Sequence, residues 1–221
     1  MHGSAWHWDQ LHENPRFRPT YPNDHVVRFL IASRAMLDKG VPSRFLDIGA
    51  GAGRHMKLAS ELGFEPYGID VSPVGLRHAH QRLRAVKIRH ELAQASMFTL
   101  PFADGSFGVV LSFGVFCYGT SDEMRRAINE ARRVLVRGGR LFAVLRTTQD
   151  YRFGKGEQIE PATFRLKIKD TNEYDTVQHF VAEQEIGIYF AEFSSVSFEK
   201  TETTLANRTR LDSDWLITAG K

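Results

Sequence analysis

The sequence predicts an α/β fold, a doubly wound and mainly parallel sheet with helices on both faces, and two observations predict it. The first is the run Phe45-Leu-Asp-Ile-Gly-Ala-Gly-Ala-Gly-Arg-His55, which reads as a strand, a glycine turn and the start of a helix. The second is alternation: apolar strand-like runs at 43–48, 65–69, 88–93, 107–112 and 140–146 are separated by helix-like stretches at about 54–62, 72–84 and 122–135. Strands that alternate with helices pair in parallel and bury both faces of the sheet.

The elements follow in chain order. Residues 1–24 are rich in aromatic, Pro, His and Arg residues, among them Trp6, Trp8, Arg16, Phe17, Arg18, Pro19 and Tyr21, and read as an irregular arm or lid on a domain spanning 25–221. From Asp24, the apolar residues Val26, Val27, Phe29, Leu30 and Ile31 recur at helical spacing until Gly40 and Pro42 end the pattern. A strand over Ser43–Ile48 precedes a helix from about Arg54 to Leu62, which Gly63 stops. After a strand at Glu65–Ile69, Ser72 caps a helix whose first position is Pro73 and which runs to about Arg84.

Further along, Phe107–Ser112 is an unbroken apolar run suited to a central parallel strand, and Asp122–Leu135 is amphipathic. Arg137-Gly-Gly139 turns the chain into a strand at Arg140–Arg146. The next stretch, 147–175, contains Tyr151-Arg-Phe-Gly-Lys-Gly156 and is long for a plain connection. Irregular segments at the carboxyl ends of parallel strands build ligand crevices, so this insert and the arm are the candidates for substrate contacts.

Composition narrows the function. With 42% hydrophobic and 25% charged residues, the 221-residue chain has the balance of an ordinary soluble protein, and a cytoplasmic location is the expectation. It lacks an apolar run of membrane-spanning length and a signal-peptide pattern at its start. Lys and Arg number 29 against 26 Asp and Glu, an excess too small to imply nucleic acid. Basic residues do cluster at 77–89 and 125–140, without the aromatic interleaving that stacks bases. Cys117 is the only cysteine, which excludes an internal disulfide and a multi-thiolate zinc site, and no metal is expected.

The glycine loop carries the chemistry. Gly49, Gly51 and Gly53 permit positive φ and close approach of the backbone to a ligand. Asp47 closes the strand before them, and Asp70 ends the next strand, where a nucleoside-binding α/β unit places a carboxylate to accept ribose hydroxyl protons. The spacing D-x-G-x-G-x-G differs from the G-x-G-x-x-G fingerprint that holds pyrophosphate. A carboxylate at the strand end repels phosphate and suits an ammonium or sulfonium group. S-adenosylmethionine carries both.

On these motifs, residues 45–55, 67–72 and 100–145 resemble class I S-adenosylmethionine-dependent methyltransferases over most of 40–146. The resemblance implies a seven-stranded sheet whose last two strands form an antiparallel hairpin, placed at Ser195–Thr204 and Trp215–Ala219. It also implies S-adenosylmethionine as cofactor and S-adenosylhomocysteine as product. Gly49, Ala50, Gly51 and Gly53 would lie along the methionine moiety, Asp47 would orient its amino group, Asp70 would hold the ribose diol and Val71 would pack on adenine. Ser96, before Met97, stands where similar enzymes often have an Asp that accepts the adenine amino proton, and Gly108 stands where they commonly have another Asp. Ser112 and Phe113 would border the methyl group, and Tyr21 would reach the cofactor carboxylate.

Methyl transfer to a heteroatom is an in-line displacement in which the enzyme aligns and desolvates the nucleophile, so a dedicated base is optional. His7, His12, His25 and His55 are candidate bases by position, and none is assigned as catalytic. The stretch after Leu111, Ser-Phe-Gly-Val, differs from the Asn-Pro-Pro-Tyr type that holds exocyclic amines in DNA adenine and glutamine methyltransferases. Trp8, Arg16, Arg18, Tyr118, Arg146 and Tyr151 are the expected substrate contacts, and their guanidinium groups point to an anionic small molecule. The leading expectation is O- or N-methylation of a small metabolite such as a natural product or sugar, by a monomer or a homodimer. The alternatives are methylation of RNA or protein and a non-catalytic interaction protein built on a cofactor fold.

Overall fold

The computed structural model describes residues 5–169, 171 and 173–221. Its main sheet begins with β1 (Arg44–Ile48), β2 (Glu65–Asp70), β3 (Glu91–Gln94), β4 (Phe107–Phe113) and β5 (Leu135–Arg146), and is completed by β9 (Ser195–Leu205) and β10 (Arg210–Gly220). The strand order is β3-β2-β1-β4-β5-β10-β9. Only β10 runs against its neighbours, pairing Trp215 with Leu145 of β5 and Lys200 of β9. The doubly wound sheet and the C-terminal hairpin both match the sequence reading.

The apolar run of β4 explains its central place, for six of its seven residues are buried between layers. On one face, α5 (Ser121–Val134) buries Met124, Ala127, Ile128, Ala131 and Val134 at helical spacing, together with Ile186 and Tyr189 of α6 (Glu183–Tyr189). The other face is covered by α2 (Asp24–Arg34), α3 (Arg54–Glu61) and α4 (Pro73–Ala85), through Val26, Phe29, Leu30, Met56, Ala59 and Leu83. Ser72 accepts the Gly75 N–H at 3.0 Å and Pro73 opens α4, as the cap-and-proline pattern requires. In register, Ile48 lies beside both Ile69 and Ser112, so the strand ends carrying Asp47, Asp70 and Phe113 meet at one edge.

Three features depart from expectation. The arm is not irregular: residues 5–13 form α1 (Ala5–Glu13), while residues 1–4 lie outside the described residues. The insert over 147–175 is not irregular either, for β6 (Gly156–Glu160), β7 (Thr163–Leu166) and β8 (Val177–His179) make a separate antiparallel sheet packed through Phe153, Phe164 and Phe180. Residues 170 and 172 of that insert lie outside the described residues. Its strands were hard to read because β6 is nearly all exposed and β8 has three residues. Finally, Arg137-Gly-Gly139 is a bulge inside β5: pairing steps from Phe107 with Leu135 to Val109 with Arg140, and Gly138 has φ 78°. No helix among the described residues is long and apolar enough to cross a membrane.

Candidate cofactor and substrate cavity

Gly49, Gly51 and Gly53 all take positive φ, at 76°, 49° and 73°. This lets the loop reverse tightly between β1 and α3 while the Gly49 and Ala50 N–H groups donate to the Ile69 carbonyl at 2.9 Å. The Gly51 N–H then points at Asp70, donating to Oδ2 at 2.8 Å, and Ser72 N–H donates to Oδ1 at 2.8 Å. The carboxylate keeps acceptor capacity for a ligand beyond these backbone donors. Burial raises the Asp70 pKa, against which the backbone donors and His12 act.

Asp47 is held differently. It is 2% exposed, and its Oδ2 has no hydrogen-bond partner among the described residues. Burial pushes its carboxyl up to about 8, with Arg54 opposing and Asp70 adding to the rise. His55 Nδ1 stands 3.8 Å from that oxygen, and its Nε2 accepts the Asn23 N–H at 3.5 Å. Burial lowers the His55 pKa to about 3, so the ring is neutral and no countercharge for Asp47. A largely protonated, unpartnered carboxyl is what a cationic ligand would ionise.

A cavity of about 680 Å³ opens beside the loop. Its lining includes Gly49, Gly51, Asp70 and Val71, together with Ala95, Ser96, Met97 and Phe98. The rest of the lining is largely aromatic and apolar: Trp8, Leu11, Phe17, Phe113, Val115 and Tyr118. Trp8 meets Tyr118 edge to face, with ring centroids 4.7 Å apart. Trp8, Leu11 and His12 reach the lining because α1 is docked on the start of α4, where Asp9 Oδ1 accepts from Ser72 Oγ at 2.5 Å and from the Val74 N–H at 3.1 Å. A carboxylate at the N-terminus of α4 is favoured by the free N–H groups and by the helix dipole.

The expected site residues therefore divide. Gly49, Gly51, Asp70, Val71, Ser96, Met97, Phe113, Trp8, Arg16 and Tyr118 meet at the cavity. Asp47, Ala50 and Ser112 are buried outside its lining, Ser112 with an unpartnered Oγ, and a Cβ on Gly53 would sit 3.0 Å from Ala79. The Ser96 hydroxyl accepts the Phe98 N–H at 3.3 Å. Gly108 lies away from the cavity, and a Cβ there would overlap the Pro42 carbonyl, so that position admits no side chain.

The structure does not bring the other candidates to the cavity. Tyr21 is 82% exposed and Arg18 contacts the His78 ring at 2.8 Å. Arg146 pairs with Glu173, and Tyr151 stacks beneath the guanidinium of Arg152 at 4.5 Å. Leu11, Phe98 and Val115 line the cavity without having been singled out, and nothing in their local sequence marks them. Asp9 was also missed, since its role depends on where α1 docks.

Residues 46–143 match a family described as a methyltransferase domain. Over those residues the chain carries a class I methyltransferase domain. S-adenosylmethionine is the cofactor of this class, and the seven-stranded sheet is its fold. A demethylmenaquinone methyltransferase of Tropheryma whipplei is 33% identical over 110 residues, covering 50% of this chain and 44% of that protein. A probable tRNA methyltransferase 9B of Bos taurus is 33% identical over 111 residues, covering 49% and 23%. The chain thus spans less than half the length of either relative. Among solved structures, an S-adenosylmethionine-dependent methyltransferase of Methanosarcina mazei superposes on the methyltransferase domain and its surroundings with a TM-score of 0.67 at 22% identity, covering 84% of this chain and 96% of that one.

Proposed function

We propose that the protein is an S-adenosylmethionine-dependent methyltransferase that methylates an O or N atom of a small molecule with a planar, apolar body. The observation that carries this reading is one cavity whose lining combines Asp70 and the glycine loop with Trp8, Phe113 and Tyr118. The residues fit the cofactor: Asp70 offers acceptors for a ribose diol, and the unpartnered Oδ2 of Asp47 suits its ammonium group. Val71, Met97 and Phe98 supply apolar surface for adenine.

Bound there, the cofactor supplies an electrophilic methyl group. The chain's own part is to hold the acceptor in line and to exclude water, which the aromatic lining and the docked α1 are built to do. In this reading α1 with the rest of the arm is a lid on the domain spanning 25–221. The anionic side of the substrate expectation narrows to Arg16, the one Arg in the lining, because Arg146 is engaged by carboxylates elsewhere. RNA is less favoured because several residues of the basic helices are engaged, although Arg84, Lys87, Arg89 and Arg137 stay exposed. Arg77 pairs with Glu13, Arg82 donates to the Pro19 carbonyl, Arg133 is held by Glu130 and Asp104, and Arg126 lies over Phe98.

Calorimetry with S-adenosylhomocysteine should show binding by the purified chain and a loss of about 100-fold or more in Asp70→Ala, since two hydroxyls lose a buried acceptor. Near-native affinity in that variant would refute the ribose assignment. Transfer of labelled methyl groups to small phenols, quinols and heteroaromatic amines, with tRNA and peptides in parallel, then tests the substrate class. Label in tRNA alone would overturn it.

A further inference from the structure

The placement of His12 assigns a residue of α1 to the cofactor. Its ring lies in a notch made by two glycines. Cε1 would meet a Cβ on Gly51 at 3.0 Å, and Cδ2 and Nε2 would meet one on Gly75 at 2.8 and 3.0 Å. Gly51 takes positive φ, but Gly75 is an ordinary residue in the first turn of α4, so its lack of a side chain answers to space alone. That notch admits the imidazole beside Asp70, whose charge acts on it.

The orientation leaves one atom unexplained. The edge that meets Gly75 carries Nε2, whereas Nδ1 lies on the ring's other side, buried and without a hydrogen-bond partner among the described residues. A buried nitrogen left unpaired costs about 1–3 kcal/mol, and this one belongs to a residue lining the cavity next to the carboxylate assigned to the ribose.

Resting on the cofactor reading above, we propose that His12 is a cofactor-binding residue, its Nδ1 completing with Asp70 the hydrogen bonding of the ribose hydroxyls. A hydroxyl both donates and accepts, so either tautomer of the ring finds its complement. Because His12 rides on α1, whose Asp9 grips Ser72 and Val74 two to four residues beyond Asp70, the lid closes on the cofactor itself as well as on the substrate. Cofactor binding and closure of α1 are then one equilibrium, and each stabilises the other.

The test is calorimetry of the full chain with S-adenosylhomocysteine for wild type, His12→Phe, His12→Gln and Gly75→Ala, with amide exchange of residues 5–18 followed with and without that ligand. His12→Phe keeps a ring and loses the bond, and should bind about tenfold more weakly. His12→Gln should recover most of the affinity, and Gly75→Ala should repeat part of the loss by displacing the ring. The ligand should slow exchange in α1 of wild type and much less in His12→Phe. Wild-type affinity in His12→Phe, or α1 exchange unmoved by bound ligand, overturns the proposal while the cofactor reading stands. Absence of binding by wild type removes both. Should His12→Phe prove unfolded, His12→Gln with tenfold weaker binding than wild type counts against the role of Nδ1, and near-wild-type binding with ligand-slowed α1 exchange supports it.

Discussion

Two groups of buried charge sit above the carboxyl ends of the strands, and they are built in opposite ways. Around Arg152, the carboxylates are answered from within, and the buried Nε of Arg146 is the one cluster atom left without a partner among the described residues. The Arg152 guanidinium donates to both oxygens of Asp150 at 2.6 and 2.7 Å, to Glu173 at 3.1 Å and to Asp212, while Arg146 pairs with Glu173. Around the glycine loop, the buried carboxyl of Asp47 has an oxygen with no partner, and the acceptor capacity left on Asp70 lies beside a cavity. Residue type alone separates the two poorly, since both groups combine Asp with Arg. What separates them is the state of the carboxylates: those around Arg152 are taken up by guanidinium and backbone donors, whereas Asp47 keeps an unpartnered oxygen and Asp70 lines a cavity.

The comparison can be broken at either end, and the largest effect belongs to the closed cluster. Replacing Arg152 by Ala strands Asp150 and Glu173 in a buried setting, and should cost about 3–5 kcal/mol of stability in chemical denaturation. Affinity for S-adenosylhomocysteine, measured under conditions where the variant remains folded, should be unchanged. A weaker ligand affinity with unchanged stability would make this cluster part of the site.

The open end should answer to pH. Burial raises the Asp47 pKa to about 8 in the free protein, above its value of 3.8 in a model peptide, so the folded state holds this proton more tightly than the unfolded one. Its contribution to stability is therefore fully present below about pH 4 and is lost as pH rises toward 8. A cationic ligand needs the ionised form. S-adenosylmethionine affinity should rise with pH, by up to about tenfold per unit, and level off above pH 8. Asp47→Asn should flatten that profile, bind more weakly throughout, and raise the melting temperature of the free protein at pH 8. A profile unchanged by the substitution would detach Asp47 from the ligand.

The smallest effect is expected at Tyr21, whose ring is 82% exposed. Tyr21→Ala should alter stability by less than about 0.5 kcal/mol and leave cofactor affinity as it is. A clear loss of affinity would show that the arm closes further than the geometry of α1 describes.

Much of the glycine loop and its flanking carboxylates was legible in the chain because their signals are local. Gly49, Gly51 and Gly53 are needed for three positive-φ residues within five positions, and Asp47 and Asp70 follow from where two adjacent strands end. Ser72 and Pro73 mark the start of α4 for equally local reasons. The rest of the cavity lining was legible only in part. Trp8, Arg16 and Tyr118 reach the cavity, while Arg18, Arg146 and Tyr151 go elsewhere. A long polar side chain near a strand end has many partners within reach, and its choice is set by residues such as Glu173 and Asp212 that are distant in sequence.

By itself, then, the sequence determined the alternation of strands and helices, the reversal of the chain at the glycine loop and the two carboxylates beside it, all consequences of backbone conformation and short-range periodicity. Tertiary structure decided which charges cancel, that residues 5–13 form a helix, and that this helix lies across the loop with His12 between Gly51 and Gly75. The physical reason is reach: φ, capping and periodicity act over a few residues, whereas burial and hydrogen-bond satisfaction belong to groups that meet only when the whole chain has packed.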